Sequence, residues 1–316
     1  MKKKTVVITG GNSGLGFQCA KNIAQKSKNY TIVLACRNRD KAVSAMESLR
    51  KETGNPNIYT LNLDLSSAKS IYEFCEEFKN RRFPPLYSLV CNAGINGSNV
   101  GHTIEGFDII FGVCHLGHYL LANLLLNQMV NEGRIIFVSS DMHNPPNIFS
   151  KSMPRFISVR ELAYPKTEGK GQNSTSMLRY SMAKLCNILC AYEMSERLAL
   201  ETNKHITVNA FNPGLMTDTN FMSMTTNKIV RVVVSGLMTV FAIVIGRMGS
   251  SVKSGKSLAA LVTEDIYRGT TGKYYDRGIE IKSSEATYDK LAARKLWIES
   301  AELLHLKQEE TILSLS

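Results

Sequence analysis

The run Thr5-Val-Val-Ile-Thr9, followed at once by Gly10-Gly-Asn-Ser-Gly-Leu-Gly16, constrains this chain more than any other stretch. A β-branched strand that ends on glycines and turns into a helix brings backbone amides close to a pyrophosphate, because Gly10, Gly14 and Gly16 carry no side chain to hold it off. The positive end of the following helix then faces the anion. Asn12, Ser13 and Leu15 complete the turn and join the three glycines as candidate dinucleotide-binding residues. Further β-branched runs at 31–35, 58–63, 88–91, 134–139 and 206–212 alternate with helix-like stretches. Repeated strand–helix alternation demands parallel strands with right-handed crossovers, so the expected class is α/β, a doubly wound Rossmann sheet with helices on both faces. Residues 272–275 read as a last strand and 286–306 as a terminal helix packed outside.

With 316 residues, 44% of them hydrophobic, the chain can bury a large core. No linker or repeat divides it, so residues 1–316 are expected to form a single domain. The seven cysteines are odd in number, scattered and mostly in apolar runs, as free thiols in a reducing compartment would be. Met1-Lys-Lys-Lys4 leads directly into the first strand without the apolar core of a signal peptide, which predicts a cytoplasmic protein. The net charge of +11 permits contact with nucleic acid or an anionic membrane, but the basic residues are dispersed and no recognition motif accompanies them. A nucleic-acid partner is not expected, and part of the charge is available for a phosphorylated cofactor.

Cofactor choice is written after the second strand. An acidic residue there would hydrogen-bond a ribose 2′-hydroxyl and repel a 2′-phosphate. The chain reads Ala35-Cys-Arg-Asn-Arg39 instead, and Arg37 can pair with a phosphate through its planar fork. NADPH/NADP+ is therefore expected over NADH, against the alternative that Arg37 and Arg39 are solvated helix-start residues. Far downstream, Tyr180-Ser-Met-Ala-Lys184 places a phenol and an ammonium one turn apart on one helical face. A phenol with an ordinary pKa near 10 needs such a cation to exchange protons at neutral pH.

Together, the glycine turn, Asn92-Ala-Gly94, Ser139-Ser140 and Tyr180 with Lys184 closely resemble the short-chain dehydrogenase/reductase family over nearly the whole chain. The resemblance implies that Tyr180 donates a proton to a carbonyl oxygen as hydride arrives. It implies that Lys184 lowers the Tyr180 pKa and holds the nicotinamide ribose, and that Ser140 hydrogen-bonds the oxygen. Ser139 is the neighbouring candidate, and strand alternation puts the two serines on opposite faces. By the same resemblance Asn92, Ala93 and Gly94 lie beside the cofactor and Asp64 with Leu65 contacts the adenine, although Asp64 also suits a helix N-cap. The resemblance further implies that Pro213, Gly214 and Thr217 line the nicotinamide pocket, with Asp218 in the slot the family usually fills with a carboxamide-contacting threonine.

Where the family usually carries an asparagine that kinks a helix and anchors a proton-relay water, this chain has Cys114 in Val113-Cys-His-Leu-Gly-His118. His118, one turn on, is the candidate substitute in the relay. Cys114, His115 and His118 also mimic a metal cluster, but no fourth ligand is evident and no metal is expected. The Cys36-Arg37 strand end, the His115 to His118 stretch, Lys184-Leu-Cys-Asn187 and Lys295-Leu-Trp-Ile-Glu299 resemble retinol dehydrogenases and light-dependent protochlorophyllide oxidoreductases. Those are NADPH users with large apolar substrates. Leu215 stands where the protochlorophyllide enzymes carry a functional cysteine, which argues against that pigment.

Two insertions, at about 141–179 and 217–255, leave the carboxyl ends of strands and are expected to form the substrate side. The second contains the apolar run 229–245, whose uncharged part of about 14 residues falls short of the about 20 that span a bilayer. It reads as a lid over the pocket, as an interfacial helix giving peripheral membrane contact, or as a true span; the first two imply a hydrophobic small-molecule substrate. Three functions follow: reduction of a ketone or aldehyde, or the reverse oxidation; reduction of a conjugated carbon–carbon double bond; and a non-catalytic NADPH-binding regulator. A homo-oligomer is compatible with the resemblance, as is a terminal helix that covers the usual contact surface.

Overall fold

The computed structural model describes residues 2–95, 101–145, 154–166, 172–216 and 248–316. Eight strands form one sheet: β1 (Lys4–Thr9), β2 (Tyr30–Cys36), β3 (Ile58–Asn62), β4 (Leu86–Cys91), β5 (Met129–Val138), β6 (Thr207–Asn212), β9 (Tyr274–Asp276) and β10 (Ile279–Ile281). A separate small pair joins β7 (Leu215–Met216) to β8 (Met248–Gly249). The sheet order is β10-β9-β6-β5-β4-β1-β2-β3, parallel throughout except for the antiparallel β9–β10 edge. The order reverses beside β1, so the crevice at the carboxyl ends of β1 and β4 is the place such a sheet offers a ligand.

The apolar strand runs arise because both sheet faces are covered. Along β1, Val7 enters one core while Val6 and Ile8 enter the other; in β5, Ile135 and Phe137 oppose Ile136 and Val138 in the same way. On one face lie α1 (Gly14–Lys26), α2 (Arg39–Thr53) and α7 (Ser251–Thr263). On the other lie α3 (Ala68–Asn80), α4 (Ile109–Leu126), α6 (Gln172–Glu201) and α8 (Lys290–Leu303), with short α5 (Val159–Ala163) beside them. Local chemistry sets the ends: Asn38 caps α2 by accepting from the Lys41 amide, and the helix stops at Gly54 with φ of +63°.

The strand readings of the sequence hold with shifted ends. β5 starts earlier than position 134, since the polar Asn131-Glu-Gly133 stretch conceals its first residues, and the exposed edge strand β10 carries too little apolar pattern to be recognised. The terminal helix is shorter than 286–306 because a 3-10 turn occupies Glu285–Tyr288. It packs on α4 and α6 through Trp297, which is fully buried with its carbonyl accepting from Tyr119 Oη at 3.0 Å and its ring under the Arg197 guanidinium. Truncating a buried tryptophan generally costs about 3–5 kcal/mol, so this helix is part of the fold.

All seven cysteines are free and buried. Helix α4 is long and apolar enough to cross a membrane, yet 89% of it is buried inside the fold, where it serves as a core helix. The run 229–245 lies outside the described residues.

Candidate active site

The turn after β1 is built for close approach. Gly10 and Gly14 adopt φ of +64° and +52°, a region costly for other residues. A Cβ on Gly10 would stand 3.1 Å from Ala93 Cα, and one on Gly16 would lie 2.6 Å from both the Gly10 carbonyl oxygen and Asn92 Nδ2. Asn92 in turn donates to the Thr9 carbonyl at 2.7 Å. Helix α1 starts at exposed Ser13, whose side chain does not cap it, and has no acidic residue in its first turn, so no protein anion sits at its positive end there. This backbone-lined cradle fits a dinucleotide pyrophosphate. Leu15 packs inward and Asn12 is half-buried at the rim.

The candidate reacting groups meet where the chain leaves β5 beside the interior of α6. Ser140 stands beside the Tyr180 phenol; its hydroxyl donates to Asp141 Oδ1 at 3.2 Å and accepts from the Met142 amide at 3.2 Å. Ser139 is committed elsewhere, its hydroxyl donating to the backbone carbonyl of Lys184 at 2.7 Å. Lys184 Nζ donates to the Val138 carbonyl at 2.8 Å and lies 5.5 Å from the centre of the Tyr180 ring. A Cβ on Gly94 would touch it at 3.7 Å, so Asn92-Ala-Gly94 connects the cradle to this ammonium. Burial lowers the Lys184 pKa. Burial also pushes the Tyr180 phenol well above its ordinary value; Cys114 and Asp141 act in the same direction and the neighbouring Ser140 opposes them.

The kinked helix survives the loss of the asparagine. Residues Gly112–Leu116 form a π-helical turn inside α4, and Gly117 lets that turn sit on β3's end, where a Cβ would meet the Leu65 carbonyl at 2.6 Å. The Cys114 thiol donates to the Ile95 carbonyl and accepts from its amide, each at 3.4 Å. His118 does not face Lys184. Its Nε2 lies 2.8 Å from Thr9 Oγ1 and its Nδ1 3.3 Å from the Cys114 carbonyl, so both ring nitrogens are engaged away from any lysine relay. His115 Nδ1 lies 3.1 Å from Asn187 Oδ1, while its Nε2 is buried with no partner among the described residues. Among the described residues no cluster of metal-binding side chains forms.

Burial holds His115 at about 4 and His118 at about 3, so both rings are neutral in the folded protein. A depressed folded pKa gives stability that is present above the unfolded value and lost as pH falls through the folded one. Each histidine should therefore steepen the loss of unfolding free energy by about 1.4 kcal/mol per pH unit between about pH 6.5 and its folded value. Urea unfolding at three pH values compares the wild type with His115→Gln. A variant slope equal to that of the wild type would show that His115 is not neutral in the fold.

Asp64 is not the cap of α3: Ser67 is, accepting from the Ser70 amide, while Asp64 Oδ1 accepts from the Ser66 amide at 2.9 Å and its hydroxyl at 2.6 Å. Arg37 is exposed just past β2, and it and Arg39 have no hydrogen bond or ion pair among the described residues. Pro213 and Gly214 follow β6, with Gly214 at φ of +76° and the Pro213 carbonyl accepting from Ser254. Thr217 lies outside the described residues. Three residues that spacing alone did not single out stitch the site together. Thr9 joins β1 to Asn92 and Ala93. Asn187 donates to the Val138 carbonyl that also receives Lys184, and an amide three residues after the lysine on the same helical face was the available signal. Asn212 Oδ1 accepts from the Asp141 and Gly214 amides at 3.1 and 3.0 Å, tying the serine turn to the Pro-Gly turn. A hollow of about 730 Å³ is lined by apolar Phe111, Leu162, Leu178 and Met182 together with charged Arg155, Arg160, Glu161, Lys166 and Arg179.

The family sequence model described as short chain dehydrogenase matches residues 4–151. Retinol dehydrogenase 13 from Homo sapiens is 32% identical over 317 residues, covering 96% of this chain and 85% of that protein. The WW domain-containing oxidoreductase of Danio rerio is 34% identical over 218 residues, 68% of this chain and 50% of that protein. This chain thus spans about half the length of that relative. In fold, it is similar to a 3-oxoacyl-(acyl-carrier protein) reductase from Brucella melitensis solved in complex with NAD, with a TM-score of 0.64 and 19% identity, covering 88% of this chain and 97% of that one. The chain belongs to the short-chain dehydrogenase/reductase family of oxidoreductases, near its retinol dehydrogenases.

Proposed function

We propose that this protein is an NADPH-dependent reductase of ketone or aldehyde carbonyls in hydrophobic small molecules, able to run in reverse on the corresponding alcohols. The observation that carries this reading is the Lys184 ammonium 5.5 Å from the centre of the Tyr180 ring with Ser140 beside the phenol, at the far end of a line of contacts that begins in the glycine cradle. NADPH supplies the hydride when bound. Tyr180 donates its proton to the substrate oxygen, and the phenol raised by burial stays protonated at neutral pH, the state a proton donor needs. Ser140 donates a hydrogen bond to the same oxygen as charge develops on it. Lys184 stabilises the phenolate left behind and holds the nicotinamide ribose, with the Val138 carbonyl and Asn187 fixing its position.

The test is NADPH oxidation, followed at its absorbance band, against aromatic, retinoid-like, steroid-like and quinone carbonyls. Turnover on members of this panel supports the reading. Tight NADPH binding with no turnover on any of them would overturn it in favour of a double-bond substrate or a regulatory protein.

The NADPH preference rests on Arg37, whose exposed guanidinium at the end of β2 is available to a 2′-phosphate. Arg37→Asp is expected to weaken NADPH binding by about 10- to 100-fold, the worth of a charge-assisted pair, and to improve the NADH to NADPH ratio. Titration with both cofactors reads this directly; an unchanged ratio would remove Arg37 from the site.

A further inference from the structure

Thr9 closes β1, and its hydroxyl is fully buried with four oxygen or nitrogen atoms around it. It accepts from the Asn92 amide at 2.8 Å and the Ala93 amide at 2.9 Å. The Val90 carbonyl lies at 3.3 Å and His118 Nε2 at 2.8 Å. A hydroxyl has two lone pairs and one proton. The two amides occupy the lone pairs, so the proton goes to the nearer remaining acceptor, the ring nitrogen of His118. That leaves Nε2 bare and puts the ring proton on Nδ1, where it is donated to the Cys114 carbonyl one turn back. The ring is fully buried, which favours this neutral form over the doubly protonated one.

We propose that His118 is a positioning residue that orients the Thr9 hydroxyl toward Asn92 and Ala93 and thereby fixes the wall of the dinucleotide cradle. The geometry stands by itself; the consequence for cofactor binding rests on the function proposed above. The wall has no slack, since Ala93 is within contact distance of any Cβ placed on Gly10 and Asn92 is held to the Thr9 carbonyl as well. The next residues of the wall are held from the same helix, because the Cys114 thiol grips both the amide and the carbonyl of Ile95. Cys114 and His118 therefore act as two points of one clamp, by which the π-helical turn of α4 presses residues 92–95 against β1.

The test combines amide hydrogen exchange by NMR in the cofactor-free protein with NADPH titration followed by fluorescence. His118→Leu removes the acceptor. Exchange at Asn92 and Ala93 should quicken at least tenfold relative to the central strand amide of Val33, and the Kd for NADPH should rise roughly tenfold, the worth of one buried hydrogen bond. The rate at saturating NADPH should change less than the Kd. His118→Gln, whose side-chain oxygen reaches the place of Nε2, should restore both readouts. If His118→Leu does not fold, Thr9→Val against Thr9→Ser asks the same question from the other end of the bond. Exchange at Asn92 and Ala93 within twofold of wild type, or a Gln variant as impaired as Leu, overturns the proposal. So does a loss of turnover with unchanged exchange and Kd, which would return His118 to a relay. Failure of the wild type to bind NADPH would sink the function instead, and the exchange rates would still decide the positioning role.

Discussion

Tyr180→Phe is expected to lower carbonyl reduction by about 100- to 10,000-fold while leaving NADPH binding within a fewfold of wild type. The substitution deletes one oxygen and keeps the ring, which is half-buried against the core, so packing changes little. Under the proposed mechanism, what disappears is the proton delivered to the substrate oxygen. Stability should move by no more than about 1 kcal/mol, the usual worth of a single hydrogen bond. Single-turnover NADPH oxidation separates this loss from product release, and a melting curve checks the fold. If more than a tenth of the turnover remained, another group would have to supply the proton and the assignment of Tyr180 would fail.

Gly16→Ala should have an effect of comparable size by a different route. Its Cβ would lie 2.6 Å from the Gly10 carbonyl oxygen and 2.6 Å from Asn92 Nδ2. Neither neighbour can yield cheaply: one is backbone, and the other is an amide already committed to the Thr9 carbonyl. Helix α1 must therefore shift away from the turn, at a cost of about 1–3 kcal/mol typical of overpacking. The amides that face the pyrophosphate would move with it, and NADPH affinity is expected to fall by more than about 100-fold, since those contacts depend on close approach. Gly94→Ala is the control. Its Cβ would meet Cys114 Sγ at 3.6 Å and Lys184 Nζ at 3.7 Å, ordinary contact distances, so stability should be nearly unchanged. Equal destabilisation by the two substitutions would show that the cradle is not the tight feature it is taken to be.

The parallel sheet, the glycine turn and the Tyr180–Lys184 pair were legible because each depends on local rules. Strand period, helix period and the absence of side chains at Gly10, Gly14 and Gly16 act over a few residues and need no knowledge of the rest of the chain. The choice of Ser140 over Ser139 rested on resemblance; the Ser139 hydroxyl is taken up by the Lys184 carbonyl, while Ser140 stands beside the Tyr180 phenol. The edge strand β10 was not legible because three exposed residues carry no pattern that distinguishes a strand from a loop.

The roles of Thr9, Cys114, His118, Asn187 and Asn212 were decided only in three dimensions. A histidine one turn after a cysteine looked like a relay toward Lys184, yet the pitch of α4 through its π-helical turn directs the ring at β1, across 109 positions of sequence. Asn212 likewise joins the serine turn to the Pro-Gly turn only because β6 lies beside β5 in the sheet. By itself, the sequence determined the class of fold and the glycine turn and singled out Tyr180 and Lys184 as candidates, since those follow from residue type and short-range spacing. The tertiary structure decided which buried polar groups pair with which, because a hydrogen bond is settled by distance and direction between atoms that the chain brings together from far apart.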